Sequence, residues 1–437
     1  MRIPRSHMLM KYTKVKADGT VIQPPSQQLA YGALISGRVA MISDSANISK
    51  KALIIAIRYG AVRRQFGGNS DGEPETKLLD YAIHQQRLMP MLARAFAMHF
   101  TGIEVSRMYD LLMARLTALK AGDGDMNEVL DSLKELHGTS SGLKAFCTWN
   151  ALDTIDQCRQ ALGGHGYSAY AGLASLYNDF AVQCTWEGDN TILTLQSGRY
   201  LVGCYRDSLK GRKQAGGVAY LNNLKSLLNA KCTGKTLESV CSLSVITEAF
   251  EVVAGRVVQK AGTDFEACLT KGLKEEEAYE QCSQTRLYAA KIHSFGYLFH
   301  RFKDGIQSAP PNLLTVLERL CLLNGLSSIS QLSGAFLQYQ YFTPQQIDWI
   351  NEKITVLCKQ VRMESISLTD AFNYTDFIIN SPFGRYDGNV YESYFGMVQK
   401  ANRPAVIPPY FESEIRPLFT RDVGNADDEY LDLEDDD

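Results

Sequence analysis

The sequence predicts an all-α protein: a long four-helix bundle, then a second helical C-terminal domain, with a short extended N-terminal segment. Three observations carry this. Proline is absent from Met91 to Ala309, a stretch rich in Ala, Leu, Lys, Glu and Gln, and proline is the residue that breaks helix interiors. Two apolar stripes recur every seven residues, one through Leu34, Met41, Ile48, Ile55 and Val62, the other through Met91, Met98, Val105, Leu112 and Leu119, a spacing that keeps side chains on one helix face. Glycines punctuate the chain between the helical stretches.

Residues 1–25 read as extended or loop, because "KYTKVKADGTVIQPP" alternates polar and apolar positions around a turn signal at Asp18-Gly19. The bundle is expected over 26–210. Its first helix ends near Phe66-Gly67-Gly68. Its second carries the stripe that begins at Met91, just after Pro90, and stops at Ala121-Gly122-Asp123-Gly124. A third runs from about Met126 to Leu162, where Gly163-Gly164-His165-Gly166 breaks it, and a fourth from near Asn190 to Lys210. Long helices joined by short loops pack antiparallel. "GRKQAGG" at 211–217 is the best linker candidate. A second helical domain is expected over 218–420, with a Pro-rich, irregular stretch from about 380. Residues 421–437 form an acidic tail whose composition predicts disorder.

The 437 residues suit two or three domains. The net charge of −3 hides an asymmetry: eight of the eleven residues Asp427–Asp437 are acidic, and residues 1–426 carry +5. This mildly basic body suits a phosphorylated small molecule and falls short of a nucleic-acid reader, so no nucleic-acid partner is expected. The longest apolar run, Ala52–Ile57, is far below the ~20 residues that cross a bilayer, and no signal-peptide core is visible at the start. The ten cysteines show no CxxC spacing and the seven histidines no metal spacing. No metal is therefore expected, and scattered thiols in a chain this large suggest a reducing compartment.

Four segments could carry chemistry. In Arg63-Arg64-Gln65-Phe66-Gly67, arginine offers forked donors to phosphate and Gln65 can bond a base or flavin edge; a solvated helix end looks the same. Gly163-Gly164-His165-Gly166-Tyr167 lets backbone approach a ligand closely, but it follows a helix and lacks the dinucleotide GxGxxG pattern. In Cys184-Thr185-Trp186-Glu187-Gly188-Asp189-Asn190, a carboxylate beside a tryptophan and just ahead of a helix is either a partly desolvated base or part of a helix cap. Arg38 is a lone cation near the start of the first helix. A Cys184–His165 pair has no support in the spacing.

Taken together, these segments resemble the acyl-CoA oxidase family, within the acyl-CoA dehydrogenase superfamily. "IRYGAVRRQFGG", "ALGGHGYSAYAGL", "CTWEGDNTILTLQSGRYL" and "GRYDGNVYE" appear in the family's order, and "MRIPRSHMLMKY" resembles the loop that leaves the family's β-domain. Trp-Glu-Gly-Asp-Asn points to oxidases, since dehydrogenases more usually carry Tyr-Glu-Gly-Thr there.

The resemblance implies non-covalent FAD and the desaturation of fatty acyl-CoA to trans-2-enoyl-CoA, with O2 reduced to hydrogen peroxide, the first step of peroxisomal β-oxidation. It implies Glu187 as the base that takes the α-proton. It implies Arg63, Gln65 and Phe66 as FAD contacts across a homodimer interface, with Gln160, Gly163 and Gly164 on the adenosine side and Asp189 and Asn190 beside the base. Arg38 and Gly188 fall to the substrate. A peroxisomal location follows from the family, although the chain ends without Ser-Lys-Leu. The family's N-terminal helical domain and β-domain have no counterpart here. The expectation is therefore a piece of a longer oxidase. Half of a split enzyme, and a catalytically silent helical remnant kept for dimerisation, are the competing readings, along with a dehydrogenase that passes electrons to a flavoprotein.

Overall fold

The computed structural model describes residues 2–10, 13–23, 32–68, 72–401 and 407–419. The acidic tail expected at 421–437 lies outside them, as do residues 26–31 of the expected bundle. The alternating segment near the start forms a small antiparallel hairpin, β1 (Lys14–Val15) with β2 (Val21–Ile22). Its turn is the one signalled by Asp18-Gly19: Asp18 Oδ1 accepts from the Thr20 N–H at 2.9 Å, and Gly19 takes φ +87°. Among the described residues, the remaining β pairing is a single bridge between Arg64 and Lys77. Nearly everything else is helix, as the all-α reading requires.

The bundle consists of α1 (Gly32–Val62), α2 (Ala82–Ala121), α3 (Met126–Ala161) and, after a short α4 (Leu173–Ala181), α5 (Asn190–Leu209). α1 is the central rod. From Ala52 to Gly60 every residue is buried, as expected of a helix apolar on all faces, and the one charge within it, Arg58, is paired with Asp370. α2 departs from expectation. It starts at Ala82 and runs through Pro90. One missing backbone donor costs less than exposing Leu88, Met89, Leu92 and Ala93, which are fully buried on either side of it. α4 had no clear signal in the sequence.

Contacts fix the helix directions. α1 and α3 run parallel, since Arg38 meets Ser141 at one level and Tyr59 meets His165 at another. α5 runs antiparallel to α3, with Asn190 bonded to Lys144 and Asp207 to Lys134.

Beyond α5 the chain turns, and Gly216 and Gly217 pack against Glu135 and Tyr297. The stretch 211–217 is thus anchored at its far end. Four long helices follow, with shorter helical turns between them: α6 (Leu243–Thr270), α7 (Ser283–Ile306), α8 (Pro311–Gln331) and α9 (Pro344–Asp370). They close on the bundle within one compact unit, Met1–Val390. The rings of Phe100 and Phe302 stack at 5.1 Å, Arg58 pairs with Asp370 at 2.7 Å, and Arg94 bonds Gln331 at 2.9 Å. α8 is long and apolar enough to cross a membrane, by length and composition. Here it packs against α2, α7 and α9 as a core helix.

Tyr391–Asp437 is a second unit. The stretch expected to be irregular contains a regular helix, Val390–Ala401, and then a turn in which Arg416 pairs with Glu412. The prolines that suggested irregularity fall outside this helix, at Pro382 before it and from Pro404 onward.

Candidate active site

α5 runs antiparallel to α3, yet it begins opposite Lys144 and not at the end of α3, so the chain has to travel part of the way back before it starts. It travels back through the turn Gly163–Tyr167, α4 and Val182–Cys184, and enters α5 at the level of Lys144. Glu187 lies on the last stretch of this return.

Glu187 and Gly188 both have positive φ, +56° and +117°. A non-glycine residue in this region is strained unless its surroundings hold it. Here four successive residues are held. The Arg38 Nε donates to the Glu187 carbonyl at 2.9 Å. The Lys144 Nζ donates to the Gly188 carbonyl at 2.8 Å and to Asn190 Oδ1 at 2.9 Å. Asp189 Oδ1 accepts from the N–H groups of Thr191 and Ile192 and caps α5. Asn190 donates to the Ala145 carbonyl and to Thr148 Oγ1.

The Glu187 side chain is half-buried and rests on α1 at Gly37, where a Cβ would come within 2.7 Å of Oε1. Its Oε2 is enclosed and meets no hydrogen-bond partner among the described residues, and its N–H meets no backbone acceptor there. The flank of the carboxylate is thus the helix surface at Gly37. Trp186 is half exposed, and its indole donates to Gln183 Oε1. Burial governs the neighbouring charges: it lowers the Arg38 guanidinium, partly opposed by Glu187, and pulls the Lys144 ammonium down to about 8 and the His137 imidazole to about 4.

A second cluster lies at the far end of the bundle. α1 stops at Val62, and Arg63–Gln65 continue as extended chain paired with Thr76–Leu78. The helix end expected near Phe66 therefore comes earlier, because this pairing takes up the backbone groups. Arg63 donates to Gln65 Oε1 at 3.1 Å, and the Gln65 carbonyl accepts from the Tyr81 hydroxyl. Phe66 is left-handed (φ +60°) and 73% exposed. At the end of α3, Gly163 and Gly164 face open space where a Cβ would sit, and Gln160 bonds Asp156 at the surface. His165 packs edge-on to Tyr59 and so ties this turn to the end of α1.

The structure thus brings Arg38, Glu187, Gly188, Asp189 and Asn190 together in one group, and Arg63, Gln65, Phe66, Gly163 and Gly164 near a second helix end. It does not join the groups. Arg38 and Val62 lie on the same continuous helix, about 36 Å apart at 1.5 Å per residue. Arg38 is buried and turned toward the bundle interior. Sequence reasoning missed Lys144 and Gly37. For Lys144 a signal existed: it is the one charged residue, His aside, from Leu136 to Leu152, a stretch otherwise small, apolar or uncharged, and a buried lysine needs partners.

The family model described as acyl-CoA oxidase, C-alpha1 domain, matches residues 31–202, and the model described as acyl-CoA oxidase matches 242–420. Acyl-coenzyme A oxidase 2 of Yarrowia lipolytica is 44% identical over 99% of this chain and 62% of its own length. Peroxisomal acyl-coenzyme A oxidase 1 of Mus musculus is 37% identical over 96% of this chain and 63% of its own. The crystal structure of acyl-CoA oxidase 1 from Yarrowia lipolytica superposes with a TM-score of 0.89 at 40% identity, covering 99% of this chain and 63% of that one. The structure of acyl-CoA oxidase-2 from Caenorhabditis elegans, bound with FAD, ascaroside-CoA and ATP, superposes with a TM-score of 0.84 at 29% identity, covering 96% of this chain and 61% of that one. The chain belongs to the acyl-CoA oxidase family. It spans 62% of the length of the first of these relatives.

Proposed function

We propose that this chain supplies the helical part of an acyl-CoA oxidase and carries its catalytic base, Glu187. The observation that carries the reading is the Glu187 carboxylate itself: held on a constrained loop, backed by Gly37, with Oε2 enclosed and meeting no donor among the described residues. Such a group is ready to accept a proton from a ligand. The overall reaction is oxidation of fatty acyl-CoA by O2 to trans-2-enoyl-CoA and hydrogen peroxide. Glu187 takes the proton from the α-carbon. The Glu187 N–H donates to the thioester oxygen and stabilises the charge that develops as the proton leaves.

FAD, when bound, supplies the acceptor for the hydride that departs from the β-carbon. The residues present fit this group. Exposed Phe66 and Trp186 offer flat faces, Gly163 and Gly164 leave open room at the end of α3, and Arg63 and Gln65 place a cation and an amide beside it. The distance along α1 supports a homodimer. Arg63 and Gln65 lie too far from Glu187 to serve one flavin within one chain, whereas two copies related by a twofold axis can bring one end of each bundle to the other. The peroxisomal names of relatives support the same location for this protein. The test is Glu187→Gln in the FAD-loaded oxidase that contains this chain. FAD and acyl-CoA binding persist, and peroxide production falls by roughly 10²–10⁴-fold. Unchanged turnover would remove Glu187 from the mechanism.

A further inference from the structure

We propose that Lys144 is a positioning residue for Glu187: from inside the bundle its ammonium clamps the Gly188 carbonyl and the Asn190 side chain and so holds the Glu187 loop in its left-handed shape. The inference rests on the reading of Glu187 as the base.

Lys144 is wholly buried, with 0% of its surface exposed. A lysine in such a place is costly unless its donors are used. Two of them are used on the loop, on Gly188 O and Asn190 Oδ1. Neither partner belongs to the body of the bundle, because both lie at or just before the start of α5. The lysine therefore does not join two helices along their length. It joins α3 to Gly188 and Asn190, both within three residues of the base.

The backbone explains why a clamp is needed there. Glu187 at φ +56° and Gly188 at φ +117° turn two successive carbonyls inward. Arg38 takes the first and Lys144 the second. An unclamped non-glycine residue relaxes out of the left-handed region, and its side chain then swings away from Gly37. The Asn190 amide completes the hold. It accepts from Lys144 while donating to Ala145 O and Thr148 Oγ1, so the start of α5 is fastened to α3 at three points. Lys144 stays charged at neutral pH even with its ammonium lowered to about 8.

Two measurements test this. Hydrogen exchange followed by mass spectrometry on the 437-residue chain compares wild type with Lys144→Met, which keeps the length and removes the donors, and with Lys144→Gln, which keeps an N–H donor. In Lys144→Met, peptides covering 184–192 exchange about tenfold faster, while peptides from Ala52–Gly60 are unchanged; Lys144→Gln recovers part of the protection. Unchanged exchange at 184–192, or uniform acceleration across the chain in both variants, overturns the proposal. In the FAD-loaded oxidase containing this chain, Lys144→Met lowers kcat by about a hundredfold and leaves KM for acyl-CoA within about threefold, the pattern of a displaced base. Equal kcat in variant and active wild type also overturns it. A wild type without turnover refutes the functional reading, and the exchange measurement still decides the role of the lysine.

Discussion

Gly37 on α1 and Glu187 on the return segment are in direct contact, with no room for a methyl group between them: a Cβ on Gly37 would stand 2.7 Å from Oε1 and 2.8 Å from Cδ of Glu187. Gly37→Ala therefore separates stability from function. Within a helix, alanine is favoured over glycine by up to about 1 kcal/mol, so the fold holds or gains. The carboxylate is displaced, and peroxide production falls by about a hundredfold. Thermal unfolding and an oxidase assay on the same variant check this. Full activity would show that Glu187 reaches its working position without resting on α1.

The two clusters at opposite ends of α1 predict complementation between copies. In a dimer carrying one Glu187→Gln chain and one Arg63→Ala, Gln65→Ala chain, one flavin site inherits both lesions and the other neither. Mixed dimers regain turnover that neither parent homodimer has. Co-expression with two affinity tags, followed by a peroxide assay, measures it. A monomer in sedimentation at micromolar concentration, or mixed dimers as dead as their parents, would remove the shared site.

Arg58 should be a stability residue and nothing more. Its side chain is 5% exposed and bonds both Asp370 and the Gly384 carbonyl, each at 2.7 Å, with the Tyr386 ring 5.4 Å away. Arg58→Ala leaves Asp370 and a buried carbonyl without their donor and costs about 3–5 kcal/mol. Urea unfolding reads the loss. A change below about 1 kcal/mol would mean that the contact between α1 and the C-terminal helices is held by apolar packing alone.

Acid should weaken the fold through its buried histidines. Burial pulls His84, His137 and His293 down to about 4, with Arg87 adding to the effect at His84 and Arg38 at His137. An unfolded histidine titrates near 6.5. Between those values the unfolded chain binds more protons than the folded one, so stability is present above about 6.5 and is lost as pH falls toward 4. The Tm measured from pH 7 to 4 declines through that window, and His293→Gln flattens the decline. A level profile down to pH 4.5 would contradict it.

Much of this was legible in the sequence because it is local. Heptad stripes and a proline-free stretch report helix faces directly, and the ends of α3 and α5 fall within a residue of their expected places. Glu187 could be singled out as the candidate base because its flanking residues form one continuous motif. The level at which α5 begins against α3 was not, since heptad stripes report helix faces and not how neighbouring helices are offset along their axes. A lone charge in an uncharged stretch marked Lys144 as unusual, but its role and that of Gly37 exist only where α1, α3 and the return segment meet. The penetration of α2 by Pro90 was hidden too, because local propensity argues against it and tertiary burial overrides it.

The return from the end of α3 to the middle of the bundle also divides the chain by its tolerance of length change. Between Leu162 and Asn190 both ends are fixed, one by Tyr59 against His165 and the other by Lys144 on Asn190. An added residue there cannot slide past either end, and the stretch it displaces includes the left-handed turn Glu187-Gly188. At Gly211–Lys213, where the side chains are exposed and the next anchor is Gln214, bonded through its N–H and carbonyl to Asn222, an insertion loops into solvent at little cost. Deletions and insertions in this family of chains should therefore collect after α5 and be purged before it, a pattern set by where the chain is fastened and independent of which side chains it carries.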